Sequence, residues 1–348
     1  MADNCGYEVC GLAILFGIHV QSQGFVRGCE WADLLPRKLE ICVVVMLALY
    51  ATSLLGRGSK TLVTLPQLFD CDVNLTLFDK LTIPNELELA HSRAGLCKAI
   101  VPGSSLADSL AAMELCLGNT SSVDLYPTFG VHPYHASAHN KQCPKEFAVQ
   151  LRQAFSSDPI CRPVAIGECG LDASPGFPPL NEQMEWFALQ LDLACELNAP
   201  LFLHERGAHE LFMGELDKRR GRLPNKLLVH CFTGTEQELR TYLDWGMLIS
   251  ISGLICRPDK QGKTLFNTLR RVDPPRNRLM IETDAPYMQF PGCRTLCDTN
   301  KLASKPNPPS AIAQVAETLS LCLNRDYREV CEDLYQTTTR FFLERKGN

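Results

Sequence analysis

From residue 68 onward, short apolar runs rich in strand-forming residues alternate with stretches of helical period. The runs occupy 68–73, 97–101, 125–131, 164–167, 200–203, 227–229, 247–252 and 279–281. Between them apolar positions return at three- and four-residue steps. In 181–198, for example, Met184, Phe187, Leu191, Ala194 and Cys195 make one face. Apolar strands that alternate with amphipathic helices are the units of a parallel sheet. Eight such units predict an α/β protein, a (β/α)8 TIM-type barrel, better than an open doubly wound sheet. No Gly-x-Gly-x-x-Gly follows the first run, which argues further against a dinucleotide-binding arrangement. A helical tail over 309–345 is expected after the eighth run.

The first 65 residues read differently. Residues 41–55 form an uncharged apolar run between Arg37, Lys38 and Glu40 on one side and Arg57 and Lys60 on the other. The run is shorter than the ~20 residues a spanning helix needs. It also lies too far from the start for a signal-peptide core, and no small-residue cleavage pattern follows it. The expected organisation is therefore an atypical N-terminal extension over 1–66 and the barrel over 67–348, with no membrane attachment. No acidic residue occurs between Met46 and Phe69, so an organelle leader stays open.

Charge and cysteine content narrow the class. Lys and Arg total 34 against 39 Asp and Glu, a net charge of -5, so no global basic field draws the chain onto polyanions. A nucleic-acid substrate would have to be held by bound cations or a local patch. The 17 cysteines include no Cys-x-x-Cys, and Cys293 and Cys297 have no second pair to match, which excludes a zinc ribbon. Cys71, Cys97, Cys161, Cys195, Cys231 and Cys322 lie in apolar runs, as expected of reduced thiols in an intracellular protein of the cytoplasm or nucleus.

Barrel enzymes carry their chemistry after the C-terminal ends of the strands. Asp70, Asp72 and Asn74 stand at the end of the first run, His132-Pro133 after the third, and Glu168 after the fourth. His204 follows the fifth, His230 the sixth and Glu282-Thr283-Asp284 the eighth. Neutral imidazole and ionised carboxylate together hold a divalent cation while leaving positions for water and a substrate oxygen. Such an ion lowers the pKa of water toward ~7, and two ions ~3.5–4 Å apart would neutralise both oxygens of a phosphoryl transfer. Glu168 is placed to bridge two ions, and Asp284 to orient or deprotonate water. This ligand set allows Mg, Mn, Fe or Zn. His209 is set apart, because five helical steps from His204 turn its ring ~140° away. His19, His91 and His139 have no partners in the pattern.

These residues lie in segments that resemble the TatD family of metal-dependent deoxyribonucleases, within the amidohydrolase-like barrels. The segments are Phe69-Asp-Cys-Asp-Val-Asn-Leu-Thr76, Gly130-Val-His-Pro133, Ala165-Ile-Gly-Glu-Cys-Gly-Leu-Asp172, Phe202-Leu-His-Glu-Arg206, Val229-His-Cys-Phe-Thr-Gly-Thr235 and Ile281-Glu-Thr-Asp-Ala-Pro-Tyr287. The resemblance implies divalent cations, usually Mg, and hydrolysis of DNA phosphodiester bonds, commonly from the 3′ end. It assigns the metal ligands to Glu168, His204, His230 and Asp284, with Glu168 and Asp284 catalytic. It assigns substrate phosphate to Asn74, His132 and Arg206. Asp72 departs from the pattern, standing where Gly is expected; either it supplies an extra carboxylate to a second ion or it sits at the rim. Tyr134 replaces a second His, and in 305–309 only Asn307 and Pro309 match. Two other functions stay open at this point: a metallohydrolase of the same barrel class acting on a small amide or ester, and a non-catalytic DNA-binding relative. DNA is the expected partner, with no obligate protein partner.

Overall fold

The eight apolar runs pair side by side as parallel strands in the computed structural model, which describes residues 64–137, 143–158, 162–297 and 307–344. Residues 1–63 of the expected N-terminal extension, with the apolar run 41–55 and His19, and also His139 lie outside the described residues. The elements in chain order are β1 (Leu68–Asp70), α1 (Ile83–Ala94), β2 (Leu96–Val101), α2 (Leu106–Leu117), β3 (Asp124–Pro127), α3 (Pro144–Phe155), β4 (Ile166–Asp172), α4 (Leu180–Leu197), β5 (Leu201–Arg206), α5 (His209–Asp217), β6 (Leu227–Val229), α6 (Glu236–Asp244), β7 (Leu248–Ile251), α7 (Lys260–Val272), β8 (Leu279–Ile281), α8 (Ile312–Leu323) and α9 (Tyr327–Phe342).

Strands β1 to β3 and β4 to β8 pair in sequence order, and two seams of backbone hydrogen bonds join the two sheets. At the first, Phe129 N donates to Ala165 O (3.2 Å) and Gly167 N to Phe129 O (3.0 Å). At the second, Cys71 N donates to Ile281 O (3.0 Å) and Asp284 N to Asp72 O (2.9 Å). The ring closes as a (β/α)8 barrel, so neither sheet keeps an open edge. Helix ends follow local chemistry. Ser105 and Asp259 cap α2 and α7, Thr235 caps α6 in a capping box, and α1 stops at Gly95 in the left-handed region.

Several expected boundaries are corrected. The third strand ends at Pro127 rather than 131, and beyond it only single backbone bonds, such as Thr128 N to Val101 O at 3.1 Å, continue the pairing. The fourth and fifth strands run on to Asp172 and Arg206, so Glu168 and His204 lie within strands and not after them. The first strand stops at Asp70, whose carboxylate takes the N–H of Asp72 at 3.1 Å. The C-terminal helix is broken at Asn324, in the left-handed conformation, into α8 and α9.

Alternation along the strands builds two cores. Phe69, Cys71, Ile100, Ala165, Phe202, Leu228 and Met280 fill the lumen, where Phe341 and Phe342 of α9 pack against them. The opposite strand faces and the helices form the larger outer core, with Leu68, Ala99, Leu203, Val229 and Ile249 among its members. The lumen filling stops below His230, whose ring stacks on Phe202 at 4.8 Å between centroids. The apolar plug is thus the floor of the polar centre above it. No disulfide joins cysteines among the described residues.

Candidate metal centre

On a strand, residues two apart share a face. Glu168, Gly170 and Asp172 of β4 therefore look the same way, as do His204 and Arg206 of β5. The two glycines of β4 allow the strands to meet closely. Gly167 and Gly170 have φ of 140° and 153°, and a Cβ at Gly170 would lie 1.8 Å from His204 O. That contact brings the Glu168 carboxylate beside the His204 ring.

Glu168 Oε1 is a hub. It lies 2.7 Å from His230 Nε2, 3.1 Å from His204 Nδ1 and 3.3 Å from His132 Nε2. The imidazole nitrogens also crowd one another, with His204 Nδ1 at 3.1 Å from His230 Nε2 and 3.3 Å from His132 Nε2. On the far side of the ring, His230 Nδ1 lies 3.1 Å from Asp72 Oδ2 and 3.7 Å from Glu282 Oε1. His204 Nε2 meets Asp172 Oδ2 at 2.9 Å, which directs Nδ1 to the hub. Asp284 sits across the seam. Its Oδ1 accepts from Asn74 Nδ2 at 3.0 Å, and its Oδ2 accepts from Cys231 Sγ at 3.6 Å. Asn74 Nδ2 also reaches Asp72 Oδ1 at 3.3 Å.

The donor set fits a divalent cation. Two overlapping groups, His132–Glu168–His204 and Asp72–Glu168–His230, each present three ligand atoms within 4.8 Å of one another. Asp72 Oδ2, His230 Nδ1 and Glu282 Oε1 are buried and lack a hydrogen-bond partner of good geometry. Buried polar atoms left so are costly unless something else satisfies them. Three imidazoles converging on one carboxylate oxygen supply lone pairs in excess of protons, as a cation requires.

The electrostatics agree. Burial alone would raise the Glu168 carboxyl, but His230 and His132 hold it well below its ordinary range. Burial opposes charge on His230 as well, yet Glu168 and Asp72 hold it well above the usual imidazole value. Burial pushes His132 down to about 3. Asp72 is driven well up by burial, and Asp284 up to about 7 by burial and then Glu282. Asp172 goes to about 2, because its bonds from His204 and Ser174 outweigh burial.

The structure brings together Glu168, His204, His230, His132 and Asp72, with Asp284 joined to them through Asn74. Asp72 is wholly buried, so it does not stand at the rim. Arg206 is half-buried at the end of β5, with Nη2 at 4.0 Å from Cys231 Sγ, and does not touch the hub. Asp172 and Cys231, which the strand-end pattern does not single out, and Glu282, which it places at the end of the eighth run, also line the centre. The even spacing of Asp172 from Glu168 on one strand was the available signal. Asn307 is buried and donates to Thr283 O (2.9 Å) and Tyr287 O (2.7 Å), tying down the loop that carries Asp284. His209 Nδ1 meets Tyr242 Oη at 2.9 Å, and that hydroxyl donates to Glu205 Oε2 at 2.7 Å, outside the centre; what separates it from His204 is the end of β5 at Arg206 and not a helical turn joining the two, since the helix begins at His209. His91 bonds Leu96 O and is structural.

A family model described as TatD related DNase matches residues 69–343. Among curated proteins, the 3′-5′ ssDNA/RNA exonuclease TatD of Rahnella sp. is 36% identical over 269 residues, 74% of this chain and 92% of that protein. The protein of the same name from Escherichia coli K12 is 34% identical over 253 residues, 73% and 90% of the two chains. Among solved structures, a TatD homologue of E. coli K12 is 26% identical with a TM-score of 0.66, covering 80% of this chain and 98% of that one. A TatD family hydrolase of Entamoeba histolytica has a TM-score of 0.67 at 24% identity, with 80% and 99% covered. With the family model running from β1 to the residue after α9, and a relative 36% identical over most of its own length, the chain belongs to the TatD-related DNase family.

Proposed function

We infer that the chain is a divalent-metal-dependent deoxyribonuclease that hydrolyses DNA phosphodiester bonds from the 3′ end of single or frayed strands. The observation that carries this reading is the convergence of three imidazole nitrogens on Glu168 Oε1 at 2.7 to 3.3 Å. Glu168, His204, His230 and Asp284 would hold the cation. Asp72 would add a further carboxylate beside Glu168 and His230, while His132, whose Nδ1 accepts from Tyr134 N, would turn an Nε2–H toward the centre. Magnesium or manganese is the ion proposed, and zinc also suits the histidines. A bound divalent ion supplies positive charge to the attacked phosphoryl group and makes water acidic enough to be deprotonated near neutrality.

The chain's own groups do the rest. Asp284 takes the proton of the attacking water, its Oδ1 held by the Asn74 amide so that the carboxylate cannot rotate away. Asp172 fixes the His204 tautomer. Arg206, Asn74 and His132 orient the phosphate oxygens. The activity is assigned to the barrel over 67–348, with 1–66 as an extension. No protein partner is needed, and an intracellular place suits the reduced cysteines. Among the described residues, no helix is long and apolar enough to cross a membrane.

The test uses a 3′-labelled single strand and chelated protein to which Mg, Mn or Zn is restored. Release of nucleotides that needs the metal and disappears in Glu168→Gln, with the far-ultraviolet spectrum unchanged, is expected. Full activity in that variant, or hydrolysis of small amides with no nuclease activity, would end the proposal.

A further inference from the structure

Aromatic rings stand at the mouth of the barrel, next to the centre, where no core requires them. Tyr134, two residues after His132, is 56% exposed, and so is Tyr287, three residues after Asp284. Phe177, half-buried in the loop between β4 and α4, lies edge-on to Tyr134 with centroids 5.6 Å apart and planes at 83°. The same phenyl ring is 5.9 Å from the His132 imidazole, whose Nε2 is 3.3 Å from Glu168 Oε1. A line of rings therefore runs from the carboxylate hub through His132 and Phe177 to Tyr134 in solvent.

Both tyrosines are fixed at the backbone to residues of the centre. Tyr134 N donates to His132 Nδ1 at 3.1 Å. Tyr287 N donates to Asp284 O at 2.7 Å, and Tyr287 O accepts from Asn307 at 2.7 Å. Rigid aromatic side chains on pinned backbone offer π-faces at little entropic cost, and the planar group that such faces take is an unpaired nucleobase. Net charge points the same way. At -5 the chain has no global basic field to hold a polyanion, so affinity has to come from cations at the phosphate and from stacking on the bases.

We propose that Tyr134, Phe177 and Tyr287 form a stacking platform that grips the unpaired bases at the end of a single strand. The platform rests on the nuclease reading above. A paired end keeps its bases stacked on one another and presents no faces to the tyrosines until it frays.

The experiment compares the wild-type protein with Tyr134→Ala, Tyr287→Ala and the two Tyr→Phe variants. The substrates are a 3′-labelled single strand and the same strand with abasic residues in its last three positions. In the Ala variants KM for the normal strand rises about 5-fold to 140-fold, as the loss of one stacked base predicts. The Phe variants, which keep the ring, recover most of the loss seen in the corresponding Ala variants. On the abasic strand the wild-type KM is itself raised, and the Ala substitutions add no further loss. An equal loss in the Ala variants on both strands, or no change in KM on the normal strand, overturns the platform while leaving the nuclease reading standing. A wild-type protein that cleaves neither strand with Mg, Mn or Zn overturns both.

Discussion

Replacing Asp284 with Asn separates what this carboxylate costs the fold from what it does in the reaction. Its carboxyl is buried, and that burial, followed by the nearby Glu282, pushes it from 3.8 up to about 7. Because the folded-state value is the higher one, the folded protein keeps a proton that the unfolded chain releases. The stability this confers is complete below pH ~4 and is lost as pH rises through 7. The gap between the two values corresponds to roughly 4 kcal/mol. Asparagine has the same shape, and its carbonyl can still accept from Asn74, but it carries no charge to bury. In chelator at pH 8, Asp284→Asn should therefore be more stable than wild type by roughly 2–4 kcal/mol, a rise of about 5 to 10 °C in Tm for a domain of this size. At pH 4 the two should melt together. Restoring the metal reverses the order, since an ion that binds only the folded wild-type centre stabilises it by mass action. Thermal unfolding followed by circular dichroism from pH 4 to 8, with and without metal, reads all of this. If the variant melts below wild type at pH 8 in chelator, or follows the same decline with pH, the account of the buried carboxylates fails.

Two further changes probe the floor and the hub. Phe342→Ala empties the lumen side of α9, where the ring lies 6.3 Å from Phe69, 6.2 Å from Phe202 and 4.7 Å from Phe341. The cost should be about 3–5 kcal/mol in urea unfolding, and a loss below ~1 kcal/mol would contradict the plug. Glu168→Gln should lower metal-dependent cleavage at least ~10³-fold, beyond the 10- to 100-fold that losing an outer-shell partner costs; a smaller fall measured in single turnover would place Glu168 outside the reacting centre.

The barrel was legible because its strands are apolar on both faces and each is followed by a helical period, a signal that survives errors in individual boundaries. The ends were less legible. A run of apolar residues stops where polarity starts, yet β4 and β5 continue through Glu168, His204 and Arg206, because backbone pairing does not depend on side-chain polarity. The same error hid Asp172, which shares the Glu168 face only if the strand is extended past 168. Asp72 shows the opposite limit. A carboxylate after a strand end reads as solvent-exposed, and only the closing of β8 onto β1 buries it against His230. Glu282 stands between an apolar run and Thr283, and only the strand alternation shows that it turns toward Ser250 and His230.

The proposed chemistry requires that Glu168 of β4, His204 of β5, His230 just after β6 and Asp284 just after β8 cage a divalent ion. Anomalous diffraction from a crystal soaked in Mn²⁺ tests it most directly. A peak ~2.0–2.3 Å from ligand atoms of Glu168, His204, His230 and Asp284 is expected. The cage would be contradicted by a fully exchanged crystal with no peak there, or with those four side chains turned away from the ion.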